Sequence, residues 1–219
     1  NKSDVKLREL KKIIQMVRKE NIPFLNLKGL AMYKYYLSKV PRQSNDFDFL
    51  IKDIDSYWNY HNILIKNDYN YLYNTMFTTF DGVRVGITKY YKEIDKNTTI
   101  YIEVNIGKFI IAEVSWFGNI DLWNTYQVYN YKGIDLNIPS DNYNLIILVI
   151  ESSDRKTFYI RDIVDFYYIV KSGNIDWDFI NSTLNDSYLR LVLKKLWANY
   201  KCLNNDVSIY FLSLITTKR

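Results

Sequence analysis

The chain has 219 residues, 48% of them hydrophobic and 24% charged, a balance that excludes a disordered chain and allows a substantial buried core. Its 29 Lys and Arg against 24 Asp and Glu leave a formal charge of +5, which permits a polyanionic partner without requiring one. A single cysteine, Cys202, and a single histidine, His61, exclude a disulfide framework and a His/Cys zinc site; with no long apolar run and no signal-peptide core, they predict a cytoplasmic protein that does not span a membrane.

In chain order, Leu7, Leu10, Ile13, Ile14 and Val17 recur at helical spacing behind Ser3 and Asp4, which predicts a capped first helix. Pro23 permits a short strand over residues 24–27, and Lys28-Gly29 then leads into a second helix bearing Ala31, Met32, Tyr35 and Tyr36. Phe47, Phe49 and Ile51 alternate with Asp46, Asp48 and Leu50 in a strand pattern, and a helix over residues 56–66 follows. Residues 69–111 read as strands with turns at Asp81-Gly82 and at 95–97, and one further strand is predicted within 127–138. Beyond Pro139 the pattern is helical, over 143–151, 157–171, 177–184, 188–200 and 207–214. The fold class is therefore α+β: a mixed sheet with helices over residues 1–139, followed by a C-terminal helical bundle over 140–219.

In Asp46-Phe47-Asp48 two carboxylates stand two positions apart on a strand, so both point to one face while Phe47 and Phe49 point into the core. Magnesium prefers oxygen ligands, and aligned carboxylates can hold one or two ions against a triphosphate. Glu103 is the candidate third acid, because Tyr101, Glu103 and Asn105 face away from the apolar side of their own strand. Upstream, Gly29 sits at a strand-to-helix turn where backbone can approach a phosphate, with Lys28 before it. Arg42 can grip phosphate in a bidentate fork.

Leu27-Lys28-Gly29-Leu30-Ala31, then Arg42, then Asp46-Phe47-Asp48-Phe49-Leu50 together resemble an uncharacterised nucleotidyltransferase family within the polymerase-β-like superfamily. The stretch from Arg42 to Phe49, and Arg161-Asp162-Ile163-Val164-Asp165 further on, also resemble the abortive-infection toxin nucleotidyltransferases. The resemblance implies a nucleotidyltransferase-type sheet. It also implies transfer of a nucleoside monophosphate from a nucleoside triphosphate to an acceptor hydroxyl, with Asp46, Asp48 and Glu103 as catalytic metal ligands for two Mg²⁺ ions, or Mn²⁺ in their place. Lys28, Gly29, Arg42, Lys156 and Arg161 would bind the nucleotide phosphates.

An RNA or tRNA acceptor and an antitoxin partner are further implications of the toxin likeness. A protein or aminoglycoside-like acceptor, or a degenerate module that only binds nucleotide or RNA, are the alternatives. The chain departs from the usual Gly-Ser or Gly-Gly by having Gly29-Leu30, and from the usual third Asp by having Glu103. Arg161 and Asp165 are also spaced for an ion pair within one helix. Gly107-Lys108-Phe109 lacks the spacing of a phosphate-binding P-loop and reads as a turn, and His61 reads as a rim residue.

Overall fold

The computed structural model describes residues 2–36, 42, 44, 46–80, 82–109, 121–155 and 159–206. The chain forms two compact units, one of Asn1–Leu30, Ser44–Ile120 and Val128–Ile138, the other of Ala31–Gln43, Asp121–Gln127 and Pro139–Arg219.

The first unit opens with α1 (Lys2–Lys19), whose Leu10, Ile13, Ile14 and Val17 are buried, as the helical periodicity predicts. A mixed five-stranded sheet follows, built from β1 (Phe24–Leu27), β2 (Asp46–Ile51), β3 (Asn70–Phe80), β4 (Val83–Asp95) and β5 (Thr98–Ile106) in the order β1-β2-β5-β4-β3. β2 and β5 run parallel, and the other three pairings are antiparallel. A parallel pair needs a long crossover. Here α3 (Ile54–Lys66) and the β3–β4 hairpin supply it. Asp53 caps α3 by accepting the Ser56 N–H at 2.8 Å.

Strand alternation divides the sheet into an apolar and a polar face. Phe49 packs on Phe24 and on Tyr60 of α3, and the buried Ile102, Val104 and Ile106 belong to that same face. α1 packs beside α3. The opposite face carries Asp46, Asp48, Tyr101, Glu103 and Asn105.

Residues 127–138 hold two strands where one was expected: β6 (Gln127–Tyr131) and β7 (Ile134–Ile138) pair with each other. Lys132 (φ 50°) and Gly133 (φ 77°) form the tight turn, and two successive positive φ angles match the twist of a hairpin. β7 lies beside β1, with Asn137 Nδ2 donating to the Phe24 carbonyl at 3.3 Å.

The expected second helix is cut short. α2 (Lys28–Ala31) gives way to a 3₁₀ turn over Met32–Lys34. In the second unit, Lys34 and Tyr35 are drawn to Asp141, and Tyr36 to Asp165, which ends the helix. The same unit contains α4 (Asp141–Ser153), α5 (Ile160–Ser172), α6 (Trp177–Thr183) and α7 (Ser187–Asp206). α4 is buried continuously from Tyr143 to Ile150 and packs on the other three, which makes it the bundle's central helix. α6 begins at Asp176, which accepts the Phe179 N–H at 3.0 Å, and Trp177 meets Trp197 edge to face. Among the described residues no helix is long and apolar enough to cross a membrane. The helix expected over 207–214 lies outside the described residues.

Candidate active site

The polar face of the first unit's sheet gathers charge at one level. β2 and β5 are parallel and in register, so Asp48 stands opposite Glu103 with both side chains on the same face. β1 meets β2 antiparallel with Leu27 opposite Asp48, so Lys28 leaves the strand beside that pair. Its Nζ lies 3.2 Å from Asp48 Oδ1 and donates to Glu103 Oε1 at 2.5 Å. From β4, Lys89 stands opposite Glu103 on the other side, and its Nζ lies 2.6 Å from Glu103 Oε2. Asp46 is half-buried, two residues before Asp48 on the same face.

Asp48 and Glu103 are both buried, which is costly for carboxylates unless cations compensate. Burial pushes the Glu103 carboxyl up, but the ammonium groups of Lys28 and Lys89 outweigh it and hold the group below its ordinary value. Glu103 is therefore a carboxylate at neutral pH.

The turn holding Lys28 and Gly29 differs from expectation in one respect. The left-handed residue is Lys28 (φ 48°), while Gly29 lies buried within α2. A non-glycine residue in that region carries backbone strain that its surroundings must offset. The two carboxylates that hold the Lys28 ammonium provide such an offset.

Arg42 and Arg161 belong to the second unit, and Lys156 lies outside the described residues. Arg42 is buried and grips the Asp165 carboxylate of α5 in a two-pronged fork, Nε to Oδ1 at 3.0 Å and Nη2 to Oδ2 at 2.9 Å. Tyr36 donates its hydroxyl to Asp165 Oδ1 at 2.5 Å. The helical spacing of Arg161 and Asp165 suggested that these two would pair. Instead Asp165 faces Arg42 and Tyr36, and Arg161 is exposed. Asp162 accepts the Tyr159 N–H at 3.2 Å and a hydrogen bond from Arg155, which secures the start of α5. Both acids of Arg161-Asp162-Ile163-Val164-Asp165 thus serve as anchors within the bundle.

His61 lies at the rim, with its Nδ1 3.0 Å from the Tyr90 hydroxyl and 2.9 Å from that of Tyr71. Gly107 (φ 76°) is a turn residue whose N–H reaches the Ile51 carbonyl at 2.9 Å. Sequence reasoning missed Lys89 and Tyr36. Lys89 sits between Thr88 and Tyr90, which point to the apolar face, so its own direction was readable. Its place beside Glu103 needed the β4–β5 register.

The donor set suits a hard divalent cation in kind, because two carboxylates converge on one point that a cation already fills. Among the described residues no three Asp, Glu, His or Cys side chains stand close enough to form a complete cage. The fit is a two-carboxylate seat with Asp46 adjoining, the type that phosphate oxygens of a substrate complete.

Solved structures with a similar fold include an antigenic nucleotidyltransferase-like protein from Paracoccidioides brasiliensis, 14% identical with a TM-score of 0.53 over 91% of this chain and 90% of that one. ANT(2")-Ia, in complex with adenylyl-2"-tobramycin, is 10% identical with a TM-score of 0.53 over 87% of this chain and 98% of that one. The lincosamide antibiotic adenylyltransferase LnuA, lincomycin-bound, is 14% identical with a TM-score of 0.51 over 76% and 97%. No curated protein matches the sequence. A family model described as uncharacterised nucleotidyltransferase matches residues 1–203, nearly the whole chain, and the protein belongs to that nucleotidyltransferase family.

Proposed function

We propose that the protein transfers a nucleoside monophosphate from a nucleoside triphosphate to an acceptor hydroxyl, in a reaction that depends on a divalent metal ion. The observation that carries this reading is the in-register pairing of Asp48 with Glu103, two buried carboxylates converging on one cation beside Asp46. Asp46, Asp48 and Glu103 would hold Mg²⁺, or Mn²⁺ in its place. Bound there, the ion would neutralise phosphate charge and make the acceptor hydroxyl a better nucleophile.

The chain's own contribution is positioning and charge. Asp46 and Asp48, two apart on an inner strand of the sheet, would fix where the phosphates lie. The acceptor hydroxyl gives up its proton to solvent, its oxygen bonds to the α-phosphorus, the bond to the β-phosphate oxygen breaks, and pyrophosphate leaves. Lys28, whose ammonium already lies at this point, would meet the negative charge that develops on the phosphates. Glu103 remains ionised and can keep a donor such as the acceptor hydroxyl oriented.

Two acceptor classes are carried forward. An RNA end accords with the +5 charge. A hydroxyl of a small polyhydroxylated molecule takes support from the two antibiotic-bound structures of similar fold. The test is incubation with each α-³²P-labelled nucleoside triphosphate and Mg²⁺, against total RNA and separately against a panel of polyhydroxylated antibiotics. Label entering either acceptor with wild type but not with the Asp46→Ala/Asp48→Ala double variant supports the reading and names the class. No label in any acceptor and no pyrophosphate release would overturn it in favour of a binding module.

A further inference from the structure

We infer that Lys28 is a resident counter-ion that occupies the metal seat of the unliganded protein and must leave before a divalent cation can bind. This rests on the metal-dependent reading above. The Lys28 ammonium bridges Asp48 Oδ1 at 3.2 Å and Glu103 Oε1 at 2.5 Å, the two acids that the sheet register sets side by side. A divalent ion and an ammonium do not settle on the same oxygens, because at comparable range the doubly charged ion repels the ammonium more strongly than one carboxylate attracts it, so the ammonium is the group displaced.

The charge balance favours the same conclusion. Lys28 and Lys89 cancel Asp48 and Glu103, which among the described residues leaves Asp46 beside them as the single uncompensated charge of the site. Adding a bare divalent ion to the undisturbed cluster would leave a buried excess of positive charge. Adding the ion together with a triphosphate removes that excess, since the phosphates bring more negative charge than the ion brings positive and can receive the displaced ammonium.

Two further observations suit Lys28 to departure. Its side chain is 17% exposed against 4% for Asp48 and 10% for Glu103, so it is the most exposed of the three and can move without opening the sheet. Its φ of 48° puts strain into the backbone at that residue, which the two ion pairs offset only while they last. Metal and nucleotide are therefore expected to enter as a pair, and the protein to bind divalent ions weakly on their own. Lys89, its side chain 35% exposed, pairs with Glu103 Oε2, whereas Lys28 pairs with Oε1.

The test measures Mn²⁺ binding by calorimetry and electron paramagnetic resonance on wild type, Lys28→Met and Lys28→Gly, with Asp48→Asn as the site control. Glycine suits the positive φ, so at least one Lys28 variant retains the local backbone. Without nucleotide, both Lys28 variants should bind Mn²⁺ at least about tenfold more tightly than wild type, through a site that Asp48→Asn abolishes. Adding a non-hydrolysable triphosphate analogue should raise wild-type Mn²⁺ affinity and change that of the Lys28 variants much less. Equal Mn²⁺ affinity in wild type and both Lys28 variants, with binding still lost in Asp48→Asn, would overturn the counter-ion role while leaving the metal reading intact. Absence of any Asp48-dependent Mn²⁺ binding, even with the analogue, would overturn the metal reading and this inference with it.

Discussion

Asp165, in the second unit, receives Arg42 through two nitrogens and Tyr36 through its hydroxyl while almost fully buried. Burial pushes the Arg42 guanidinium down, yet Asp165 more than reverses this and holds it above its ordinary value. Asp165→Ala would strand that charge in the interior, and we expect a loss of about 3–5 kcal/mol in urea unfolding. A loss under about 1 kcal/mol would mean that water reaches Arg42. Glu103 gives a pH prediction. Its carboxyl is held below its ordinary value of 4.5, so its stabilising contribution is full above pH 4.5 and fades as the pH falls through the lower folded value. Glu103→Gln should therefore flatten the acid limb of the stability profile below pH 4.5 while leaving its slope near neutrality unchanged. An acid limb of wild-type slope would show that Glu103 is not paired as described.

Among the elements, the tight turns carry the sharpest structural requirement. Gly107 follows β5 with a φ of 76°, and a Cβ there would collide with the Arg84 carbonyl. Gly107→Ala should cost about 1–3 kcal/mol, read as a lowered Tm. Gly133, also left-handed, has open space around its Cβ position, so Gly133→Ala should cost only the conformational strain, about 1–2 kcal/mol. The elements legible from sequence were those whose signal is local. The alternation of Phe47, Phe49 and Ile51 yields β2, and Asp176 before Trp177 yields the start of α6. The β6–β7 hairpin was read as one strand because its turn residues are Lys132-Gly133 and not the Asn-Gly pair that advertises such turns. The second helix was read too long because its aromatic spacing is helical, whereas Tyr35 and Tyr36 serve acids more than a hundred residues away.

At the scale of the whole molecule, the +5 charge turns the choice of acceptor into a salt experiment. If RNA is the acceptor, its KM should rise steeply between 50 and 200 mM salt, by about tenfold or more for even a few phosphate contacts. A small acceptor without phosphates releases none of the counterions that a polyanion does and would show a much shallower slope over that range, which makes the salt slope an independent check on the labelling result. The candidate site was legible in proportion to how local it is. Asp46 and Asp48 announce a shared face through their spacing alone, while Glu103 needed its own strand's alternation and Lys89 the register between strands. The partnership of Arg42 with Asp165 spans 123 positions and leaves no periodic trace. That long span has a consequence for synthesis on the ribosome. A nascent chain that has already exposed β2 still lacks the helix that anchors Arg42, four residues ahead of Asp46. At roughly 5–20 residues per second, that segment waits roughly 6–25 s for its partner to emerge. Prematurely terminated products ending before α5 would carry Arg42 without the carboxylate that pairs with it, so abandoned translation should release fragments that expose an unpaired guanidinium.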